Sequence, residues 1–176
     1  MALKTPAQYR KSLEKLHPTA YVLGEKVENV YEHPLIKHMV AAVAKTYEME
    51  NDAEARKLLV TKSDLVSGEV SRFVSFYKSP DDLLTKVRML KLMAQTIGGC
   101  YMRCTGMDAI NSVGIEAFNC DKKYGTEYWQ RLLDFVKMLQ KEDLVLFSGV
   151  TDVKGDRTLR PSQQKDPDMY LRMVDK

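Results

Sequence analysis

Apolar positions recur at helical spacing through most of the chain. Thr5-Pro6-Ala7-Gln8 predicts a helix start, with Thr as N-cap, Pro at the first position and Gln three residues on. Tyr9, Leu13 and Leu16 follow at helical spacing, and His17-Pro18 is expected to end that helix. Tyr21 to Glu25 reads as a short extended or turn segment. A second helix is expected from His33-Pro34, with Leu35, Ile36, Met39, Val40, Val43 and Tyr47 on one broad face. Asn51 to Tyr77 is less regular, with room for a short helix and an extended piece at Arg72 to Tyr77. Ser79-Pro80-Asp81-Asp82 is another helix start, its acids favoured by the dipole. Leu83, Val87, Leu90 and Ala94 predict that helix's face, and Gly98-Gly99 interrupts it. A fourth long helix is expected over Cys100 to Phe118, and a fifth after Gly125-Thr126, carrying Trp129, Leu132, Leu133, Val136 and Leu139.

After Gln140 the pattern changes. Leu144 to Phe147 reads as a buried strand, Ser148 to Pro167 as a polar, turn-rich connection, and Met169 to Val174 as an alternating strand. A structureless connection of ~20 residues is uncommon inside a compact domain and is often functional. One strand cannot make a sheet. The expected organisation is therefore a mainly α domain over 1–143, with 144–176 as the start of an incomplete β domain.

Composition narrows the function. The chain has 176 residues, 44% hydrophobic and 29% charged, as in a globular protein. Its net charge is +3, and its Lys and Arg residues are interspersed with acids. A nucleic-acid footprint would be more concentrated. No signal core opens the chain, and no apolar run is long enough to span a bilayer, so a cytosolic setting is expected. There, Cys100, Cys104 and Cys120 stay reduced.

Cys100 and Cys104 are the sharpest chemical feature. On a helix, positions four apart share a face with Cβ atoms roughly 5–6 Å apart, so both thiolates could reach one soft metal centre. A third cysteine at Met107 would be needed for the C-x3-C-x2-C pattern of radical enzymes. By spacing alone two ordinary buried thiols are the more frequent arrangement. Val150, Thr151, Asp152, Lys154, Gly155, Asp156 and Arg157 offer hydroxyl, amide and cationic donors suited to an anionic cofactor, or simply a solvated turn. His17 and His33 precede prolines and read as helix-boundary residues, and Cys120, Trp129 and the helically spaced methionines as structural. No residue stands out as catalytic.

Four stretches together resemble one family. They are Tyr21 to Asn29 with His33-Pro34; Cys100-Tyr101-Met102-Arg103-Cys104-Thr105-Gly106-Met107-Asp108-Ala109; Lys123 to Tyr128; and Thr151 to Arg157 with Asp166-Pro167-Asp168. In this order they resemble the N-terminal region of 4-hydroxybutyryl-CoA dehydratases, many of which are also vinylacetyl-CoA isomerases. The resemblance implies an acyl-CoA-dehydrogenase-like helical N-terminal domain, a middle β domain, a C-terminal bundle and a homotetramer. It also implies FAD beside a 4Fe-4S cluster held by three cysteines and a histidine. Cys100 and Cys104 match the two N-terminal cysteine ligands, and Val150 to Arg157 match an FAD-contacting stretch. The implied reaction converts 4-hydroxybutyryl-CoA to crotonyl-CoA. Met102 stands where members commonly carry Gln, and Val153 where Pro is usual; neither departure removes a ligand.

The sequence thus predicts a partial dehydratase, inactive by itself, without nucleic-acid or membrane partners. Two alternatives remain: a cluster-free flavin-dependent aromatic hydroxylase of the same superfamily, and a non-catalytic helical module.

Overall fold

A computed structural model describes residues 3–147, 156, 158–160 and 163–165. Six helices carry the architecture: α1 (Pro6–Leu13), α2 (Lys37–Asn51), α3 (Arg56–Leu59), α4 (Pro80–Ile97), α5 (Cys104–Tyr124) and α6 (Tyr128–Glu142). Two antiparallel hairpins fill the connections. β1 (Ala20–Val22) pairs with β2 (Glu25–Val27), Ala20 opposite Val27, and β3 (Val60–Lys62) pairs with β4 (Glu69–Ser71), Val60 opposite Ser71.

The helix starts follow local chemistry. Thr5 accepts from the Gln8 amide while the Gln8 side chain accepts from the Thr5 amide, closing the predicted capping box. Ser79 caps α4, and Asp82 in its first turn accepts from the Lys78 amide, which holds its carboxyl below the usual range. Asp121, near the end of α5, accepts from the Thr126 hydroxyl and the Tyr128 and Trp129 amides. It thereby supplies a negative charge to the otherwise uncapped start of α6.

Two apolar clusters form the core. One joins Met49, Leu59, Phe73, Met89, Met93, Tyr101 and Met107; the other joins Tyr9, Val40, Val43, Ala44 and Tyr47, with Met102 and Val145 against it. Several expectations need correction. α1 ends at Leu13, four residues before His17. α2 starts at Lys37, and Leu35 and Met39 are exposed. Arg72–Val74 is a 3-10 turn, not extended. On α4 it is Met89 and Met93 that are buried, whereas Leu83 and Val87 face outward. A helix with apolar residues on several sides does not reveal which side meets the core.

Leu144 to Phe147 is not a strand: among the described residues it pairs with no other segment. α6 ends at Asp143 in the left-handed region (φ 44°). The Asp143 carboxylate accepts from the Lys4 amide (2.7 Å), and its carbonyl accepts from the Tyr47 hydroxyl (2.9 Å). From that clamp the chain crosses the first turn of α5 so closely that a Cβ on Gly106 would lie 2.2 Å from the Leu146 carbonyl oxygen. Only glycine permits this backbone approach. The predicted strand at Met169 to Val174 lies outside the described residues.

Candidate functional site

Gly98, in the left-handed region (φ 75°), stops α4, and α5 begins at Cys104. Cys100 therefore lies outside the helix, and the two thiols do not share a helical face as their spacing suggested. Met102 breaks the helix between them, its φ of 61° being incompatible with helical backbone.

The three residues between the cysteines all turn inward. Tyr101 is 6% exposed and packs on Phe73, with ring centroids 5.8 Å apart. Burial pushes its phenol far above the ordinary range, and the neighbouring Cys104 and Cys100 add to this. Met102 packs against the Tyr9–Tyr47 cluster. Arg103, 1% exposed, passes between Tyr47 and Phe73, its guanidinium carbon 4.7 and 4.3 Å from their ring centroids. Its Nη1 donates to Thr46 Oγ1 and Glu50 Oε1, both at 2.9 Å, and its Nη2 donates to Ser71 Oγ at 3.0 Å. Ser71 Oγ in turn donates to Glu50 Oε1 at 2.6 Å. Burial pushes the Glu50 carboxyl up, opposed by Arg103 and the Ser71 hydrogen bond. Burial also works against the charge on Arg103, but Glu50, Tyr47 and Asp143 outweigh it and the guanidinium stays protonated.

With 101–103 pinned down, the cysteines are left at the edge. Cys100 is exposed, its Sγ 3.6 Å from Met102 Sδ, and Cys104 is half-buried against the Met89–Met107 cluster. The first turn of α5 has no capping side chain, so its open N–H groups favour an anion. Among the described residues, no three His, Cys, Asp or Glu side chains converge on a metal-sized site. By donor chemistry the two thiols are a partial soft set of the type an iron–sulfur cluster takes, with further ligands needed from elsewhere.

Of the other predicted cofactor residues, Val150, Thr151, Asp152, Lys154, Gly155 and Arg157 lie outside the described residues. Asp156 is exposed, and its carboxylate accepts from the amide (2.9 Å) and hydroxyl (2.7 Å) of Thr158. It shapes its own turn. Cys120 is half-buried on α5, apart from the site in sequence, and Trp129 packs edge-on against Phe118. His17 and His33 lie between helices, whereas His38 lies within α2. Arg103 and Glu50 were missed by the sequence reading. The available signal was Glu50 itself, which continues the buried positions Val43, Thr46 and Tyr47 of α2 at helical spacing. A carboxyl there is either neutral or paired with a buried cation.

A model of the family described as 4-hydroxyphenylacetate 3-hydroxylase N terminal matches residues 5–176. The chain belongs to this family. It is 44% identical over 99% of its length to 4-hydroxybutyryl-CoA dehydratase/vinylacetyl-CoA-Delta-isomerase of Clostridium aminobutyricum, covering 36% of that protein. It is 27% identical over 97% of its length to a 4-hydroxyphenylacetate 3-monooxygenase oxygenase component of Thermus thermophilus, covering 34% of it. The structure matches an oxygen-tolerant archaeal 4-hydroxybutyryl-CoA dehydratase from N. maritimus with a TM-score of 0.84 at 39% identity, over 99% of this chain and 35% of that one. The mainly helical fold expected from the resemblance is thus present, and the chain spans about a third of the length of these relatives. Among the described residues no helix is long and apolar enough to cross a membrane.

Proposed function

We propose that this chain forms the N-terminal part of a 4-hydroxybutyryl-CoA dehydratase, with Cys100 and Cys104 as two thiolate ligands of a 4Fe-4S cluster. The observation that carries the reading is the loop itself: Tyr101, Met102 and Arg103 are tied inward while the two thiols are left at its edge. The 44% identity to a dehydratase supports the same choice over the oxygenases. Val150, Thr151, Asp152, Lys154, Gly155, Asp156 and Arg157 would hold FAD. Ahead of them in the chain, Leu146 crosses the first turn of α5 at Gly106, two residues after Cys104. When bound, cluster iron supplies a Lewis acid for the substrate hydroxyl, and the flavin supplies the redox chemistry that acidifies the β-proton. This chain's own part is to present two thiolates at an uncapped helix end. Two ligands do not complete a cluster, so the chain alone is predicted to be inactive. In the complete enzyme the partners are an acyl-CoA substrate and further copies in a homotetramer, in the cytosol.

The second reading, a cluster-free flavin-dependent aromatic hydroxylase, draws on the family description and the monooxygenase relatives. A hybrid separates the two: this chain replaces the matching N-terminal region of the Clostridium aminobutyricum dehydratase. Crotonyl-CoA formation that Cys100→Ser and Cys104→Ser each abolish is the expected result. An inactive hybrid, or one indifferent to both substitutions, would contradict the ligand assignment. Hydroxylation of 4-hydroxyphenylacetate by the analogous hybrid with the oxygenase would favour the second reading.

A further inference from the structure

We infer that Arg103 is a positioning residue that holds Cys100 and Cys104 convergent on one soft acceptor. The inference rests on the ligand reading above and deepens it. Arg103 immediately precedes Cys104 and lies three residues after Cys100, and its guanidinium is the most heavily bonded group of the loop. It reaches α2 through Thr46 and Glu50, and β4 through Ser71. The rings of Tyr47 and Phe73 flank it at 4.7 and 4.3 Å, so its plane as well as its position is fixed. That arrangement needs a planar fork. A lysine ammonium is a point charge that cannot bond both elements in one plane. Directly before Arg103, Met102 sits in the left-handed region (φ 61°), a conformation that persists only where its surroundings enforce it. Releasing Arg103 would remove the main tether on that turn, and the two thiols would spend less time within reach of one atom. Groups that orient metal ligands in this way typically alter metal affinity by roughly 10–100-fold when removed.

The test uses the 176-residue chain carrying Cys120→Ser, so that two thiols remain. The probe is phenylarsine oxide, whose arsenic bonds two thiols with loss of one water and no change of oxidation state. Its affinity therefore reports whether the thiols converge. The parent is expected to chelate it with one-to-one stoichiometry, and Arg103→Lys to bind roughly tenfold or more weakly. Thr46→Val, nearly the same shape with one Arg103 hydrogen bond lost, is expected to fold and show a smaller loss in the same direction. Val136→Ala, a cavity at a buried position of α6, should lower the Tm without weakening binding. Equal affinity in parent, Arg103→Lys and Thr46→Val would overturn the inference. So would a parent that fails to chelate, or an equal loss in Val136→Ala. Chelation with the predicted losses, combined with a hybrid that takes up no iron, would sink the cluster reading alone.

Discussion

The Arg103 guanidinium and the Glu50 carboxylate, held at 2.9 Å and 1% and 0% exposed, form a fully buried ion pair. Burying such a pair costs desolvation of both groups; hydrogen bonds to Thr46 and Ser71 and two aromatic faces offset part of this, while Glu50 Oε2 and Arg103 Nε have no partner among the described residues. Removing one partner strands the other charge. Glu50→Ala is therefore expected to destabilise the chain by about 3–5 kcal/mol in urea unfolding, whereas Glu50→Leu with Arg103→Met should cost less than Glu50→Ala alone. A double variant as unstable as the sum of the singles would show that the two residues act separately. At this scale the sequence disclosed the cysteines but not their support. The name of residue 103 carries no sign that it is buried, since exposed arginines are the rule. Its meaning emerges only when Glu50 is seen to occupy a core position of α2.

The starts of α1 and α4 were legible because capping chemistry is local. Thr5 with Gln8 and Ser79 with Pro80 act where the residue types place them. Asp121 was not recognised, because it caps α6 from the preceding helix across the turn at Gly125. The Thr126 hydroxyl and the Trp129 and Tyr128 amides hold its carboxyl below its ordinary 3.8. A lowered folded pKa gives stability that is present above about 3.8 and lost as pH falls through the folded value. Asp121→Asn should consequently lower the urea midpoint at pH 6, and the gap from the parent should narrow as the pH drops below 3.8. A gap of constant size down to pH 2 would remove Asp121 as the acid-sensitive cap. The helix of α5 was misplaced by four residues for a complementary reason. Gly98 was visible as a stop, but the left-handed Met102 is imposed by the packing of its neighbours and not by its own preference.

At the scale of the molecule, the fold class followed from ordered matches along the whole chain rather than from periodicity alone. Periodicity failed where apolar residues occur on more than one side of a helix. On α4, Leu83, Leu84 and Val87 are exposed, and on α5 so are Val113, Ile115 and Phe118. Apolar surface of this kind favours association. Sedimentation of the isolated chain is expected to show concentration-dependent oligomers, which Leu84→Lys with Phe118→Lys should reduce; a strict monomer at high concentration would contradict this. The flavin-contacting stretch could be named from the resemblance, yet of its residues only Asp156 is described, bonded to Thr158. The site therefore depends most on the two thiols at the N-terminal edge of α5. The most direct measurement of that claim is anaerobic iron and acid-labile sulfide content in the dehydratase hybrid, with and without Cys100→Ser and Cys104→Ser together. Cluster-level iron and sulfide are expected in the parent hybrid and are expected to be lost in the double variant, with FAD retained. Equal iron in both, or a flavin-loaded parent without iron, would contradict it.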